Sequence, residues 1–385
     1  MSGYVFVGNS TKPTEEQNNR IDDVVLDNVS KPCLQTAIEM GYEVFLGVNR
    51  NYPNKLACRE LPISFYDSHT YRSIFNIKDN YIAYRNLCSL IDKQGIEAIH
   101  CNTPIGGMAG RFAGKKKHVK KIIYTAHGFH FYKGAPFLQN FVIKTAERIM
   151  ARWTDCIITM NNEDYLAAQK FKMKKGGKVF LVHGVGINLD SFVNPLNREG
   201  KRREFGLSSD DFVLVSAGDL IKRKNYRVAI EAIALTNSPK IHYLICGKGP
   251  ELSALKKYAE KCHVIDRVHF LGFRTDIRDI LYASDAFLFS TLQEGLPRSM
   301  MEAMACGLPC IASRIRGNVD LLEDGVGGYL CDPRRAKGFA DRITEMFNDK
   351  EKTKWMAEQN LKRIKSFDVN VVKKEIEDIY KEVLC

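Results

Sequence analysis

Glu294 and Glu302 bracket the run Gly295-Leu296-Pro297-Arg298-Ser299-Met300-Met301, and Ala303-Met304-Ala305-Cys306-Gly307-Leu308-Pro309 follows. Pro297 suits the first turn of a helix, because its missing N–H would be unpaired there, and Gly307 with Pro309 supplies a stop. The pattern predicts a helix from about Pro297 to Cys306, with Glu294 in the loop before it and Glu302 on its second turn. The N–H groups around Gly295 and Leu296 then face outward at the positive end of the helix dipole. Such a junction can hold an anion with its amides and hydroxyls with its carboxylates. A lone pair of Glu at this spacing is more often a surface residue and a dipole partner, so the neighbourhood has to decide. Upstream, Ser284-Asp285-Ala286-Phe287-Leu288-Phe289-Ser290 reads as a short buried strand. Glu294 thus follows the strand end at which open α/β sheets take ligands.

Other candidate groups also sit just after apolar runs. Gly218-Asp219-Leu220-Ile221-Lys222-Arg223-Lys224-Asn225 lies between a strand and a helix, a place where phosphate sites form, although three adjacent cations are also common in a solvated turn. Gly247-Lys248-Gly249-Pro250 follows Tyr243-Leu244-Ile245-Cys246, and Gly272-Phe273-Arg274 follows Phe270-Leu271. A single Gly-x-Gly is weak, since glycine is the default turn residue. Earlier in the chain, Asn102-Thr103-Pro104-Ile105-Gly106-Gly107 and His127-Gly128-Phe129-His130 follow two further strands. A strand-end His can orient a ligand hydroxyl or simply support a loop.

The elements that must position these groups alternate throughout, strand then helix, which argues for parallel sheets built from βαβ units. Expected strands in the first half are Tyr4–Val7, Glu43–Gly47, Ala98–Cys101, Ile122–Thr125, Cys156–Thr159 and Val179–Val182, with helices over Tyr81–Lys93 and Phe137–Trp153. A break rich in turn formers and charge spans Asn194 to Ser209. The pattern then restarts with Phe212–Ser216, Tyr243–Cys246, Val268–Leu271, the strand ending at Ser290, Cys310–Ala312 and Gly328–Leu330. The division is therefore 1–193, 194–368 and a terminal helical segment, 369–385.

A chain of 385 residues with 45% hydrophobic residues exceeds one ordinary core, so two domains are expected. No apolar run reaches membrane-spanning length, and the start, Met1-Ser2-Gly3-Tyr4-Val5, lacks the charged-then-apolar pattern of a secretion signal. The 11 cysteines show no close Cys-x-x-Cys pair. They read as reduced core residues of a cytoplasmic protein rather than a disulfide framework or zinc site. The net charge of +12 draws on Lys115, Lys116, Lys117, Lys120 and Lys121, and on Lys144, Arg148 and Arg152 of the helix carrying Phe137, Phe141, Ile149 and Trp153. That helix fits an anionic membrane surface on the inner face of the cell membrane; it equally fits a core-facing amphipathic helix with a solvated basic side. Nucleic acid is disfavoured, because no reader motif appears and the basic residues are not interleaved with aromatic platforms.

The block from Glu294 to Pro309 resembles that of the retaining glycosyltransferases of the GT-B architecture, the group numbered family 4, whose hallmark is Glu, seven residues, Glu. The resemblance covers nearly the whole chain and implies an α/β fold of two Rossmann-like parallel-sheet domains facing a cleft, with the last helix packing back on the first domain. It implies a nucleotide-sugar donor, UDP-linked in this reading, with no metal or other cofactor, a point with which the absence of an Asp-x-Asp motif agrees. By the resemblance, Glu294 accepts from donor-sugar hydroxyls, Glu302 from the ribose, Lys224 neutralises the diphosphate, and His127 contacts the sugar near its reacting carbon. Gly218, Lys222, Arg223, Gly247, Gly249, Gly295, Leu296, Phe273 and Arg274 would lie around the donor, and Asn102, Thr103, Gly106, Gly107 and His130 on the acceptor side. Asp219 departs from the family, which has Arg there; Lys222 or Arg223 is the candidate substitute. His183-Gly184-Val185-Gly186-Ile187-Asn188 is similar to the interdomain Asn-Gly-Val-Asp segment, with His183 for Asn. The loop Gly8–Thr14 followed by Glu15, Glu16 and Gln17 lacks the usual acceptor-loop pattern, which leaves the acceptor weakly constrained. The first-half segments look most like enzymes that extend lipid-linked glycans for capsule, exopolysaccharide or glycoprotein synthesis. A nucleotide-sugar epimerase of the same architecture, a transferase with a soluble acceptor and a non-catalytic glycan binder are the rival readings.

Overall fold

The structure, a computed structural model, describes residues 2–7, 22–23, 26, 30–48, 56–69, 76–193 and 197–385. The loop 8–17 discussed above lies outside them, as do 194–196 of the expected break. The chain divides into two units, Met1–Gly186 with Val369–Cys385, and Ile187–Asp368. The first crossing thus falls at 186–187, where the sequence reading placed it at 193–194.

In the first unit β1 (Gly3–Val7), β2 (Asp22–Asp23), β3 (Glu43–Val48), β4 (Leu56–Ala57), β5 (Ser64–Asp67), β6 (Ile96–Asn102), β7 (Lys121–Ala126), β8 (Cys156–Thr159) and β9 (Lys178–Leu181) follow one another. Seven of them form a sheet in the order β5-β3-β1-β6-β7-β8-β9, while β2 pairs with β4. The second unit has β10 (Phe212–Ala217), β11 (Ile241–Cys246), β12 (Val268–Gly272), β13 (Ala286–Phe289), β14 (Cys310–Ser313) and β15 (Gly328–Cys331), ordered β12-β11-β10-β13-β14-β15. The described pairings are parallel. Helices cover both faces of such sheets, so the central strands read as unbroken apolar runs: β1, β8, β13 and β14 are buried from end to end. This uniform burial is why these strands are legible in the sequence. β5 was not expected: its Ser64 and Asp67 ends are polar and it lies at a sheet edge, with only Tyr66 fully buried. The expected break also holds a helix, Arg198–Glu204, which its charges disguised; buried Arg202 ties it to Asp285 at 2.6 Å.

In each sheet the strand order reverses direction at one point, between β1 and β6 in the first and between β10 and β13 in the second. The crevice beyond the carboxyl ends of strands at such a switch point is where doubly wound folds take ligands. Gly218 and Glu294 follow β10 and β13; Asn102 closes β6, and His127 follows its neighbour β7. The terminal helix Val369–Leu384 packs in the first unit, burying Val372, Ile376, Ile379, Tyr380 and Val383. Burial pushes the Cys101 and Cys246 thiols up to about 12, so they are inert core groups.

Candidate functional site

In the second unit the chain leaves β10 at Gly218 and makes a short 3-10 turn, Lys222–Lys224. Asn225 then takes a left-handed conformation (φ 55°) and its side-chain amide donates to the carbonyls of Ser290 (3.0 Å) and Pro333 (2.8 Å). That anchor sets the Lys224 side chain against Gly218 and aims it at the end of β13. Three donors converge on one oxygen of Glu294: Lys224 Nζ at 2.7 Å, Arg223 Nη1 at 2.9 Å and Thr291 Oγ1 at 3.0 Å. Lys224 and Glu294 are largely enclosed, with side chains 12% and 13% exposed, whereas Arg223 is 40% exposed. Lys222 points into solvent.

The helix after Glu294 runs Arg298–Ala305, with Pro297 just before it and Cys306 just after, one residue shorter at each end than expected. Met300, Met301, Ala303 and Met304 face the core, which turns Glu302 outward on the second turn. There Arg298 Nε donates to it at 3.0 Å. Gly307, at φ 71°, ends the helix as the sequence suggested.

Two neighbours of this loop were not foreseen. Arg316, buried, donates from Nε to the backbone carbonyl of Glu294 at 3.1 Å. Gly317 packs so closely that a Cβ there would sit 2.2 Å from the Gly295 carbonyl. Neither belongs to a motif read from the chain, and the Arg-Gly pair after β14 was the one available hint. Gly247 and Gly249 have a steric reason within the protein itself: a Cβ would meet the Gly218 carbonyl at 1.9 Å or that of Leu220 at 2.3 Å. Phe273 is exposed under Lys248, 5.4 Å from its ring centroid. Arg274 is committed to carboxylates, with Nε and Nη2 donating to Asp276 at 2.7 and 2.6 Å and Nη2 to Glu204 at 2.8 Å. The Arg274 hydrogen bond holds the Asp276 carboxyl below its usual range.

In the first unit His127 Nε2 is hydrogen-bonded to Asn102 Oδ1. Thr103 takes φ 73° and ψ 158°, a region otherwise nearly reserved for glycine, as the chain turns into the helix Pro104–Lys116. Gly106 and Gly107 lie on the buried face of that helix; a Cβ on Gly107 would stand 2.5 Å from the Tyr124 ring. Their placement is accounted for by packing. His130 is exposed, and His183 Nδ1 lies 2.5 Å from Glu375.

The basic helix is Phe137–Ala151, and its inward residues are Glu147, Met150 and Ala151. Phe137 (84% exposed), Leu138, Phe141 (60%), Val142 and Ile149 face outward, so these residues do not form the core-facing stripe of the structural reading. The lysine cluster divides. Lys117, Lys120 and Lys121 are held by Asp92, Glu97 and the Val383 carbonyl, each at 2.5 Å. Lys115 and Lys116 are exposed, Lys115 lying 3.8 Å from the Trp153 ring centroid. Among the described residues no helix is long and apolar enough to cross a membrane.

Residues 31–161 match the family described as glycosyl transferase 4-like, and residues 197–363 that described as glycosyl transferases group 1. The putative glycosyltransferase EpsD of Bacillus subtilis (strain 168) is 32% identical over 348 residues, 89% of this chain and 90% of that protein. The chain belongs to glycosyltransferase family 4. Another relative of this glycosyltransferase is the UDP-Gal:alpha-D-GlcNAc-diphosphoundecaprenol alpha-1,3-galactosyltransferase of Escherichia coli, 28% identical over 86% of this chain and 89% of that protein. Its GT-B fold is shared with Anabaena Alr3699/HepE in complex with UDP-glucose, which matches with a TM-score of 0.76 and 18% identity over 99% of this chain and 100% of that one.

Proposed function

We propose that this glycosyltransferase moves a hexose or N-acetylhexosamine, with retention, from a UDP-linked sugar to a hydroxyl of a lipid-diphosphate-linked glycan in bacterial surface polysaccharide synthesis. The observation that carries the reading is the convergence of Lys224, Arg223 and Thr291 on Glu294 beside the helix Arg298–Ala305. In the reaction the bond from the anomeric carbon to the diphosphate oxygen breaks, and a bond to the acceptor oxygen forms on the same face. The acceptor proton passes to the leaving phosphate. Lys224 has three N–H donors, so it can keep Glu294 and still reach a phosphate oxygen. Together with the amides near Gly295 and Leu296, it offers fixed positive charge where negative charge develops, without a metal in this reading. Arg223, on the same carboxylate, is the better substitute for the cation missing at Asp219; Lys222 is exposed and, among the described residues, has no such anchor. Glu294 and Glu302 are assigned to donor-sugar and ribose hydroxyls, and His127 to the sugar.

The exposed apolar residues of the helix Phe137–Ala151, with Lys144, Arg148, Arg152, Lys115 and Lys116, support docking of this cytoplasmic enzyme on the inner face of an anionic membrane that holds the acceptor. The names of the Escherichia coli relative and of the Campylobacter jejuni N,N'-diacetylbacillosaminyl-diphospho-undecaprenol alpha-1,3-N-acetylgalactosaminyltransferase, 22% identical over 92% of this chain, support a lipid-diphosphate acceptor. The test is a panel of UDP-sugars against lipid-diphosphate-linked acceptors, with products identified by mass. One sugar added only when both substrates are present is expected. Conversion of a UDP-sugar to its epimer without acceptor would overturn the reading.

A further inference from the structure

We propose that Arg316 and Gly317 are positioning residues that turn the backbone N–H groups of Gly295 and Leu296 to one side, building a two-amide anion hole for the donor's diphosphate. The inference deepens, and rests on, the assignment of that loop to the donor. Arg316 Nε donates to the Glu294 carbonyl at 3.1 Å. Gly317, at φ 79°, lies so close to the next carbonyl that a Cβ on it would stand 2.2 Å from the Gly295 oxygen. Two consecutive carbonyls thus face one turn, residues 314–318. In a trans peptide the N–H points opposite to the C=O of the same plane, so the Gly295 and Leu296 N–H groups face away from that turn. Successive N–H groups on one side make a concavity that takes an anion. Sheet order gives its direction. β13 stands between β10 and β14, so a loop whose carbonyls face the turn after β14 presents its amides toward the β10 side, where Lys224 lies. Among the described residues neither amide donates to a carbonyl or side chain.

The turn is braced well enough to impose that orientation. Asn318 Nδ2 donates to the Ser313 carbonyl at 2.9 Å, and the Gly317 N–H to the Asp320 carboxylate at 2.9 Å. From the helix Lys350–Arg363, Arg363 donates to the carbonyls of Asp320 (2.7 Å) and Leu321. Glu294 is then held at both ends, its carboxylate by Lys224, Arg223 and Thr291 and its carbonyl by Arg316. A loop fixed only through a side chain could still rotate its peptide planes. Pinning the carbonyls removes that freedom, and donors already aimed at an anion need no reorganisation when charge develops. Glycine is required at 317 twice over, for its positive φ and for the close approach.

Gln and Met at 316 separate a positioning role from a direct one, because Gln places an amide nitrogen, and Met a methyl group, where Arg has Nε. In the full chain carrying 15N-glycine and 15N-leucine, the Gly295 and Leu296 amide signals are expected to shift together as inorganic pyrophosphate is added. In a folded Arg316→Met protein the affinity read from those shifts, and kcat with the UDP-sugar, should each fall about ten-fold or more, whereas Arg316→Gln should keep both within about three-fold. A folded Gly317→Ala protein should lose the same response; a response kept there overturns the role of Gly317. No shift of these amides in the unmodified protein, or normal turnover in Arg316→Met, overturns the proposal. Equal losses in the Gln and Met variants do so too, since they make the guanidinium charge itself the working group. If the amides respond and depend on Arg316 while no UDP-sugar is turned over, the anion hole stands and the transferase reading falls.

Discussion

Among the described residues each unit holds an enclosed pair of a cation and a glutamate, and the two pairs are built to different ends. In the first unit Arg111 is fully buried. Its Nη1 and Nη2 donate to Glu147 at 2.8 and 3.2 Å, its Nε to the Gly107 carbonyl at 2.9 Å, and its guanidinium lies 3.9 Å from the Tyr124 ring centroid. Both ends and the face of the guanidinium are occupied by protein. In the second unit Lys224 meets a glutamate that also takes Arg223 and Thr291, and both side chains keep some contact with solvent. Saturation marks a structural pair; surplus positive charge on one carboxylate, left accessible at a switch point, is what the proposed function assigns to an anion. The same chemistry supports a fold in one unit and, under the proposed function, a ligand in the other.

The sharpest way to break this contrast is to remove each cation. Arg111→Leu leaves Glu147 buried without its partner and should destabilise the first unit by about 3–5 kcal/mol, read by denaturant unfolding. Adding Glu147→Leu should recover most of that loss. If Arg111→Leu instead folds normally and loses only turnover, the structural reading of this pair is wrong. Lys224→Ala should do the reverse: a loss of about 2–4 kcal/mol in transition-state stabilisation, seen in kcat/KM, with the unfolding midpoint little moved. Near-normal activity in a folded Lys224→Ala protein would transfer the diphosphate role to Arg223.

A pH experiment sharpens the first unit further. Burial lowers His100 to about 3, against about 6.5 when unfolded, so below pH 6.5 the unfolded chain takes up a proton that the folded chain does not. Stability is therefore full above pH 6.5 and falls as pH drops from there toward 3, by up to about 1.4 kcal/mol per unit. His100→Gln, which does not titrate, should flatten the slope of unfolding free energy between pH 5 and 6.5; an unchanged slope would assign it to other groups. The smallest expected effect per residue belongs to the outward cations. Charge reversal at Lys144, Arg148 and Arg152 should weaken binding to anionic vesicles by about 1 kcal/mol per cation, less at high salt. Activity on a long-chain lipid acceptor should fall with it while activity on a short soluble analogue holds. Equal losses on both acceptors would return this helix to a structural role.

The contrast also explains which groups are legible in the amino-acid sequence alone. Lys224 and Glu294 are legible because each follows a buried apolar run, and residues after strand ends of parallel sheets fall on the ligand-binding edge whatever the details of packing. Gly247, Gly249 and Gly107 are legible as glycines that matter, but the neighbour each makes room for, a carbonyl or a tyrosine ring, is not. Arg111 draws no notice in the sequence, since a single arginine within a helix has no local sign that a glutamate on the next helix will meet it.

The sequence by itself determined the two parallel sheets, the repeat of strand and helix, the helix stop at Gly307 and the residue types available at the strand ends. These follow from apolar runs, turn formers and caps, all of which act over a few neighbouring residues. Only the tertiary structure decided that Arg316 holds the Glu294 carbonyl, 22 residues away, and that Asn102 meets His127, 25 away. It alone turned Phe137 and Phe141 outward instead of into a core. Those contacts depend on strand register and on which helix face meets the sheet, and register is set jointly by every pair of strands rather than by any one stretch of chain.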